Sequence, residues 1–410
     1  MSNVTQMTPK LSPGEETLAA QLDAAGAADA ATRFRTSGLP TRKIESYHYT
    51  DLKMLLREVP DAGIAANEAS APALRIPGAY RILMVNGVVQ DTTTAPAGVV
   101  VGKVKGPVLS TRDDIMVRLN SALTGESLSL DLANEVDPII HIDRRTEGDA
   151  AHVNGGAKIF VADGGSATIV ETYSGSDADH LGNHATYIAL GKGAKATHIT
   201  VDLSGNTARH FAHAEYDISA DANLRTLTIH AGSALSRTQL FAKFSGEGAH
   251  ADFTGLNLVE GGQHADITLD IAHAVPNTTS TETYKSVARG RSRAVFQGKI
   301  VVSTNAQKTD AKMMAQGLML SEEAEILAKP ELEIFADDVV CGHGATCGAL
   351  DDDSLFYLMS RGISRADAEA MLVRAFLEEL FDFIEDEELH EALSGVSDSW
   401  LARAIPEADI

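Results

Sequence analysis

The sequence predicts a mainly β protein, with a β-rich core at about 76–340, a helical N-terminal region at 1–75 and a helical C-terminal domain at 341–410. Three observations support this organisation: strand-like segments from about Tyr80 to Phe335, a near-constant spacing of small-residue corners, and helix-capping patterns at both ends. The corners favour a solenoid, although a large β-sandwich would also show strand alternation.

The N-terminal helix is predicted by the stretch SPGE at 12–15, which offers a serine cap, a proline at the first helical position and a glutamate that closes a capping box. Leu18, Leu22 and Ala25 follow at helical spacing. We therefore expect one helix that continues to about Phe34.

The β-rich core begins with YRILMVNGVV at Tyr80, where Asn86-Gly87 predicts a tight hairpin turn. Two segments alternate clearly. In the first, we expect one set of side chains to face the core: Ile199, Val201 and Leu203. The alternate set is expected to face solvent: His198, Thr200 and Asp202. The second repeats this pattern: Ile267, Leu269 and Ile271 against Asp266, Thr268 and Asp270.

The solenoid prediction rests on four corners of similar composition, GGSA at Gly164, GAKA at Gly193, DANL at Asp221 and GAHA at Gly248. Successive corners are 29, 28 and 27 residues apart. Such a step before strand-like segments is typical of coils that bury their apolar faces on one another.

The C-terminal domain is predicted to contain a helix that starts at the triplet Asp351-Asp352-Asp353 and ends at Gly362, and a second helix capped by Ser364. The second helix carries two neighbouring apolar rows: Leu372, Phe376, Leu380 and Phe383, and Val373, Leu377 and Phe381. So wide an apolar surface indicates two packing partners. This leaves open that one of them is another chain.

Charge and composition narrow the classes of partner. The chain has 410 residues, and 57 acidic against 34 basic side chains give a net charge of -23. This charge repels phosphate backbones and anionic lipids, so neither nucleic acid nor a membrane is expected as a partner. We find no signal-peptide pattern, no membrane span and only two cysteines, and therefore expect a cytoplasmic protein.

Both cysteines lie near one histidine, in the stretch CGHGATC. The C-x5-C spacing of Cys341 and Cys347 matches no common zinc pattern, which favours two small buried apolar side chains. His343 differs, because Gly342 and Gly344 leave its ring uncrowded and allow another backbone to approach. Taken alone, such a histidine is still more often structural than a ligand.

Ten of the 14 histidines fall between residues 152 and 273, yet none forms the helical i, i+4 pair of many metal sites. His198 and His230 are expected to face solvent, and His210-x-x-His213 is the pair hardest to dismiss as a metal site. The aspartate triplet lacks calcium-loop spacing. No G-x-x-x-x-G-K-[ST] phosphate loop and no G-x-S-x-G elbow occurs, which argues against an ATP site of this type and an acyl-transfer hydrolase.

The block FQGKIVVSTNAQKTDAKMMAQGLMLSEEAEILAKPELEIFADDVVCGHGATCGALDDDSLFYLMSRGIS, from Phe296 to Ser364, resembles the signature region of the SufB/SufD family of iron-sulfur cluster assembly proteins. LPTRKIESYHYTDL, from Leu39 to Leu52, resembles the family's LPTRKxExWxYT segment, with Tyr47-His48 in place of the tryptophan-containing pair. The strand at Ala167 is also similar. HGAT at 343–346 is like the SufD branch, whereas SufB carries a glutamate at the position of Gly344.

The resemblance implies a right-handed parallel β-helix between helical terminal domains. It also implies a scaffold subunit without catalysis of its own. The core would pair with a SufB-like paralogue, or with a second copy when SufB is absent, and the C-terminal helices would dock a SufC-like ABC ATPase.

The family's functional histidine corresponds to His343, which would contact a transient iron-sulfur cluster shared with SufB, with Cys341 as an auxiliary thiol. Binding of reduced flavin is left open. Two alternatives remain: a structural partner without a ligand role, and a β-helical polysaccharide lyase or esterase, which would need a carboxylate or arginine cluster that we do not find.

Overall fold

The structure is a computed structural model that describes residues 10–63, 71–90, 92–109 and 112–403. Consecutive strands of its core alternate between two sheets, and each pairs in parallel with the strand two positions further along the chain. The predicted fold class, a mainly β protein with a parallel β-helix core and helices at both ends, is confirmed. No helix in these residues is long and apolar enough to cross a membrane.

Within the described residues, one sheet has ten strands and the other has nine. The ten-stranded sheet contains β1 (Tyr80–Val85), β2 (Val88–Val89), β5 (Ile140–Thr146), β7 (Ser166–Gly175), β9 (Lys195–Asp202), β11 (Asn223–His230), β13 (His250–Val259), β15 (Thr279–Ala288), β17 (Asp310–Met319) and β19 (Val340–Gly348). The nine-stranded sheet contains β3 (Val99–Lys105), β4 (Glu126–Leu132), β6 (His152–Val161), β8 (Leu181–Leu190), β10 (Arg209–Ile218), β12 (Leu235–Phe244), β14 (His264–His273), β16 (Arg293–Val302) and β18 (Glu325–Ile334).

The four corners found in the sequence are solenoid corners. Gly164, Gly193, Asp221 and Gly248 all have positive φ, between 58° and 74°, and each precedes a strand of the ten-stranded sheet by two residues. Their amides donate to backbone carbonyls of the following coil, for example Gly193 N–H to Ala220 at 2.8 Å. Three of the four are glycines because this left-handed conformation strains side chains with a Cβ.

The two alternating segments behave differently. Ile267, Leu269 and Ile271 lie in the solenoid interior, as predicted, but Asp266 on the opposite face is buried, where it contacts Arg237 and Thr50. For β9 the predicted orientation was wrong: Ile199 and Val201 lie on the outer face of the sheet, in a cluster with residues of the C-terminal helices. His198 points inward and contacts Tyr216 of the opposite sheet. The helices reverse the pattern because they bury the outer face, and hydrogen bonds satisfy the polar interior.

The C-terminal domain comprises three helices, α5 (Asp352–Ser360), α6 (Arg365–Leu377) and α7 (Glu387–Leu401), and a 3-10 turn at Glu378–Leu380. Asp351 and Ser364 cap α5 and α6 as predicted, and Gly362 follows α5 with a positive φ. Val373 and Leu377 of α6 are buried against the solenoid. Much of the wide apolar surface predicted for a second partner therefore packs on the chain's own sheet.

The N-terminal region contains α1 (Pro13–Ala24), α2 (Ala28–Ser37), a 3-10 turn at Glu45–Tyr47 and α3 (Leu52–Leu55), and α4 (Ile115–Leu123) packs beside it. The capping box of Ser12 and Glu15 is present. The prediction of a single long helix was wrong, because Gly26 has a φ of +73° and separates α1 from α2. Buried side chains of this region cover Leu181, Phe211 and Leu235 on the nine-stranded sheet.

The last coil extends further than the sequence suggested. Strand β19 runs to Gly348, and the first helix of the C-terminal domain begins at Asp352, whereas the predicted boundary lay at residue 340. The stretch that contains both cysteines and His343 is therefore a strand of the solenoid, not a loop at the start of the helical domain.

Candidate functional site

His343 lies on β19, at the C-terminal end of the solenoid. Among the described residues, β19 pairs only with β17, and β18 pairs only with β16, so both form sheet edges. Edge strands expose unpaired backbone groups that can pair with another chain. We call this surface, formed by β18 and β19, the open end.

The strand register gives the side on which His343 lies. His343 is opposite Met313 and Cys341 is opposite Ala311, and both partners on β17 are buried in the interior core. His343 therefore continues a column of interior positions, because side chains in register share a face. Its side chain is nevertheless exposed, since no coil in the described part of the chain covers it.

The two cysteines differ in their relation to His343. Cys341 is two residues away on the same face of the strand, about 7 Å along it, whereas Cys347 lies about 13 Å from His343 and about 20 Å from Cys341. The structure therefore brings Cys341 and His343 together and leaves Cys347 apart. The prediction of two buried thiols was wrong: Cys341 is half-buried and Cys347 is exposed.

Neither thiol is activated in the isolated chain. Burial raises the pKa of Cys341, and the nearby carboxylates Asp310 and Glu282 raise it further. Burial also raises the pKa of Cys347. Because the thiolate is the nucleophile and metal ligand, Cys341 would bind a metal only if an incoming cation displaced its proton.

The glycines beside His343 are not equivalent. A Cβ at Gly342 would meet no atom within 4 Å, whereas a Cβ at Gly344 would lie 2.9 Å from Cε of Met314. Open space for an approaching backbone therefore exists at Gly342, while Gly344 leaves room for a methionine of the neighbouring strand.

Exposed apolar side chains occur on or beside the open end and on the adjacent strand β17. They are Met314, Ile334, Phe335 and Val340. Exposed apolar residues beside the edge strands of two sheets are typical of a surface that another protein covers.

The other histidines do not form a second site of the predicted kind. His198 and His230 were expected to face solvent, but both are buried and hydrogen-bonded: His198 to Tyr216 at 2.8 Å, and His230 to Asn257 at 2.9 Å. His210 and His213 lie on opposite faces of β10, since His210 packs on Tyr173 and His213 contacts Asn183. No group of three or more potential metal ligands occurs in the described parts of the chain.

Sequence reasoning missed the polar interior of the central coils. Arg144 donates to Glu171 at 2.6 Å, and the same carboxylate contacts Thr186 at 2.7 Å and His198 at 3.1 Å. Although burial opposes ionisation of Glu171, Arg144 and these hydrogen bonds lower its pKa far below the usual value. The polar positions of β7 and β9 were visible in the sequence, but their inward direction was not.

A second exposed surface lies on the C-terminal helices. Phe356, Tyr357 and Met359 of α5 and Met371 of α6 all project into solvent, and Phe356 is 73% exposed. These residues differ from the buried rows that the sequence analysis selected. We call them the α5–α6 patch.

Residues 144–376 match the family model described as SUF system FeS cluster assembly, SufBD core domain. The chain belongs to the SufBD family. It is 30% identical over 379 residues to the iron-sulfur cluster assembly protein SufD of Escherichia coli (strain K12), covering 87% of this chain and 88% of that protein. It is 28% identical over 393 residues to a SufBD family protein of Synechocystis, at 88% and 86% coverage. The prediction of a SufB/SufD-family protein most like SufD is confirmed.

Proposed function

We propose that this chain is the SufD-like subunit of a cytoplasmic SufB-SufC-SufD scaffold for iron-sulfur cluster assembly. It pairs with a SufB-like paralogue through the open end, and His343 supplies one ligand to the nascent cluster at that interface. The cluster is cargo that leaves the complex, and this chain performs no catalysis of its own.

The observation that carries the proposal is the position of His343 on an uncovered edge strand. A partner strand that pairs with β19 would bury His343 between two chains, together with Cys341 on the same face. Imidazole and thiolate are both competent iron ligands. The described residues hold no complete set of ligands, so the remaining donors must come from the partner.

ATP hydrolysis belongs to a SufC-like ABC ATPase in this proposal, because the sequence lacks the phosphate-binding loop of such enzymes. The α5–α6 patch is the best candidate for its docking surface. Large exposed aromatic and methionine side chains on adjacent helices are typical of protein interfaces.

His343→Ala tests the proposed ligand. The side chain is exposed, so the isolated variant should unfold at the same temperature as the wild type and still form the complex with the SufB-like and SufC-like chains. Iron and acid-labile sulfide in the complex purified without air should fall at least tenfold. Cys347→Ala, on the same strand but about 13 Å away, is the matched control and should retain its cluster.

If the intact His343→Ala complex carried cluster at the wild-type level, His343 would not be a ligand. This chain would then be a structural partner.

The ATPase surface is tested by the double substitution Phe356→Ser with Tyr357→Ser. We expect the folded variant to lose the SufC-like chain in a pull-down while it keeps the SufB-like chain. Phe160→Ser, an exposed aromatic on the outer face of β6, is the control and should keep both partners. Undiminished ATPase capture by the double variant would show that the patch is not the docking surface.

Point substitutions are preferable to deletion of residues 351–410. Deletion would uncover the apolar outer face of the ten-stranded sheet, including Ile199, Val201, Leu227 and Leu256, which α6 and α7 cover. A truncated chain could then fail by aggregation without any information on docking.

A further inference from the structure

The loop at residues 41–49, between α2 and α3, reaches the open end from the N-terminal region. It crosses the outer face of the nine-stranded sheet, where the Ser46 carbonyl accepts a hydrogen bond from Arg237 of β12 at 2.7 Å. Glu45 then forms an ion pair with Lys329 of β18. We call this segment the N-terminal loop. It lies beside one of the two edge strands of the open end.

Buried polar groups hold the N-terminal loop on the sheet. Tyr47 is buried, its hydroxyl donates to Asp114 at 2.7 Å, and the guanidinium of Arg237 lies 4.4 Å above the centre of its ring. Thr50, just after the loop, is also buried and donates to Asp266, the carboxylate that pairs with Arg237. Buried networks of this kind rigidify the elements that they join. The loop is therefore held in one conformation.

The tip of this rigid loop exposes two cations and an apolar side chain. Arg42, Lys43 and Ile44 are all exposed, and Ile44 is 51% exposed. The Arg42 guanidinium lies 4.0 Å from Asp51, but its side chain is 73% exposed, so this contact is weak. No ion pair involves Lys43 within the described parts of the chain. Both cations are therefore available to a carboxylate of another chain.

The charge of the tip contrasts with that of the last coil. Residues 321–340 contain seven acidic side chains and one basic side chain, Lys329, which pairs with Glu45. The tip is therefore a positive point at the border of an acidic surface. An acidic segment of a partner would be attracted to the tip and repelled by the last coil, and this contrast determines where such a segment can dock.

The open end alone offers a small contact area. Its two strands have ten and nine residues, so it is about 33 Å long, and two stacked sheets are about 10 Å apart. The footprint between the strand axes is then on the order of 300 Å², whereas a stable interface buries about 800 Å² on each partner. A chain that binds the open end is therefore expected to contact neighbouring surfaces as well.

We propose that the N-terminal loop is a second docking contact for the SufB-like chain, and that it receives an acidic segment of that chain. Arg42 and Lys43 pair with carboxylates of this segment, and Ile44 packs on an apolar side chain beside them. The inference rests on the proposed function, because the SufB-like chain is the partner proposed for the open end. The loop is continuous with that surface through the ion pair of Glu45 and Lys329.

The test measures binding of the SufB-like chain to the full-length chain by titration calorimetry, at low and at high salt. The triple variant Arg42→Glu, Lys43→Glu, Ile44→Ser should bind at least tenfold more weakly at low salt. The loss should shrink at high salt, because dissolved ions screen the charges. Ile44→Ser alone should cause a smaller loss that salt does not change. All three side chains are exposed, so both variants should unfold at the wild-type temperature.

The matched control lies on β3, at the N-terminal edge of the same sheet. Val100, Lys103 and Lys105 are exposed there, and Val100→Ser with Lys103→Glu and Lys105→Glu makes the same change in charge and removes one apolar side chain. This variant should bind as the wild type does. An equal loss in the control would reveal a general charge effect and would overturn the docking contact.

Two further outcomes would contradict the inference. Wild-type affinity of the loop variant would overturn the docking contact while leaving the proposed function intact, since the wild-type chain would still bind its partner. A loss as large at high salt as at low salt would overturn the acidic character of the partner segment. If the wild-type chain itself did not bind the SufB-like chain, the proposed function would fail, and this inference with it.

Discussion

The two ends of the solenoid differ in the pairing direction and the burial of their outer strands. At the N-terminal end, which we call the closed end, β2 pairs antiparallel with β1, and β3 pairs antiparallel with β4, so each sheet ends in a reversed strand. At the C-terminal end, β18 and β19 have no outer partner among the described residues. Strand β5, two positions inside the N-terminal edge of its sheet, has six of seven residues buried, whereas β19, at the C-terminal edge, has none of its nine residues buried.

We interpret this difference as a division between residues that stabilise the fold, near the closed end, and residues that are available to contact another chain, at the open end. Near the closed end the strands contain packed side chains, whereas the residues of β19 are exposed or only half-buried. A long exposed edge is an aggregation hazard unless a partner covers it. The proposed pairing with a SufB-like chain would cover this edge.

The largest expected effect compares a buried and an exposed aliphatic residue. Ile142→Ala, in the buried part of β5, should lower the free energy of unfolding by about 2–5 kcal/mol, because it leaves a cavity in the interior core. Val340→Ala, at the start of exposed β19, should change it by less than about 0.5 kcal/mol. Urea unfolding of the isolated chain measures both. If both variants lost the same free energy of unfolding, the open end would contribute as much to stability as the closed end does.

A smaller effect concerns Glu282, two strands inside the open end. Burial raises its pKa to about 8, with the nearby charge of Asp252 acting in the same direction and the Ser280 hydroxyl opposing it. Since the folded-state pKa lies above the usual 4.5, the stability of the wild type should fall as the pH rises from about 4.5 to 8. Glu282→Gln removes this dependence.

Thermal unfolding of the Glu282 variant and the wild type from pH 5 to pH 8 tests this sign. The variant should gain stability relative to the wild type as the pH rises, by an amount on the order of a few kcal/mol. A constant difference across this range would mean that Glu282 does not titrate in it.

The smallest effect on the isolated chain concerns the glycines beside His343. Gly342→Ala should leave stability unchanged, because a Cβ there meets no atom, whereas Gly344→Ala requires Met314 to move. Affinity for the partner should show the opposite order. Gly342→Ala should weaken binding more than Gly344→Ala, because the new methyl group at residue 342 obstructs the approach of a partner strand. Titration calorimetry with the SufB-like chain measures this, and unchanged affinity for Gly342→Ala would place the partner elsewhere.

Local signals favoured a solenoid core, and the family resemblance specified a parallel β-helix. The corner spacing identified coils because Gly164, Gly193, Asp221 and Gly248 need a conformation that few residues adopt. The same signals could not show which face of β9 lies inward. That orientation depends on the distant helices α6 and α7, which cover the outer face, and strand alternation alone does not reveal it.

The candidate site was predictable only in part. Family resemblance selected His343 and Cys341, but no local pattern indicated that they lie on an edge strand, because pairing with β17 depends on coil register. The separation of Cys347 from His343 also follows only once the segment is known to be extended. The glycines around His343 suggested a loop. The segment instead forms a strand, because it pairs in parallel with the edge of β17.

The central claim, that a SufB-like chain covers the open end, is tested most directly by hydrogen exchange of backbone amides with and without that partner. We predict at least tenfold slower exchange in β18 and β19 of the complex, and unchanged exchange in β1 and β5 at the closed end. A stable complex in which β18 and β19 exchange as fast as in the isolated chain would contradict the account.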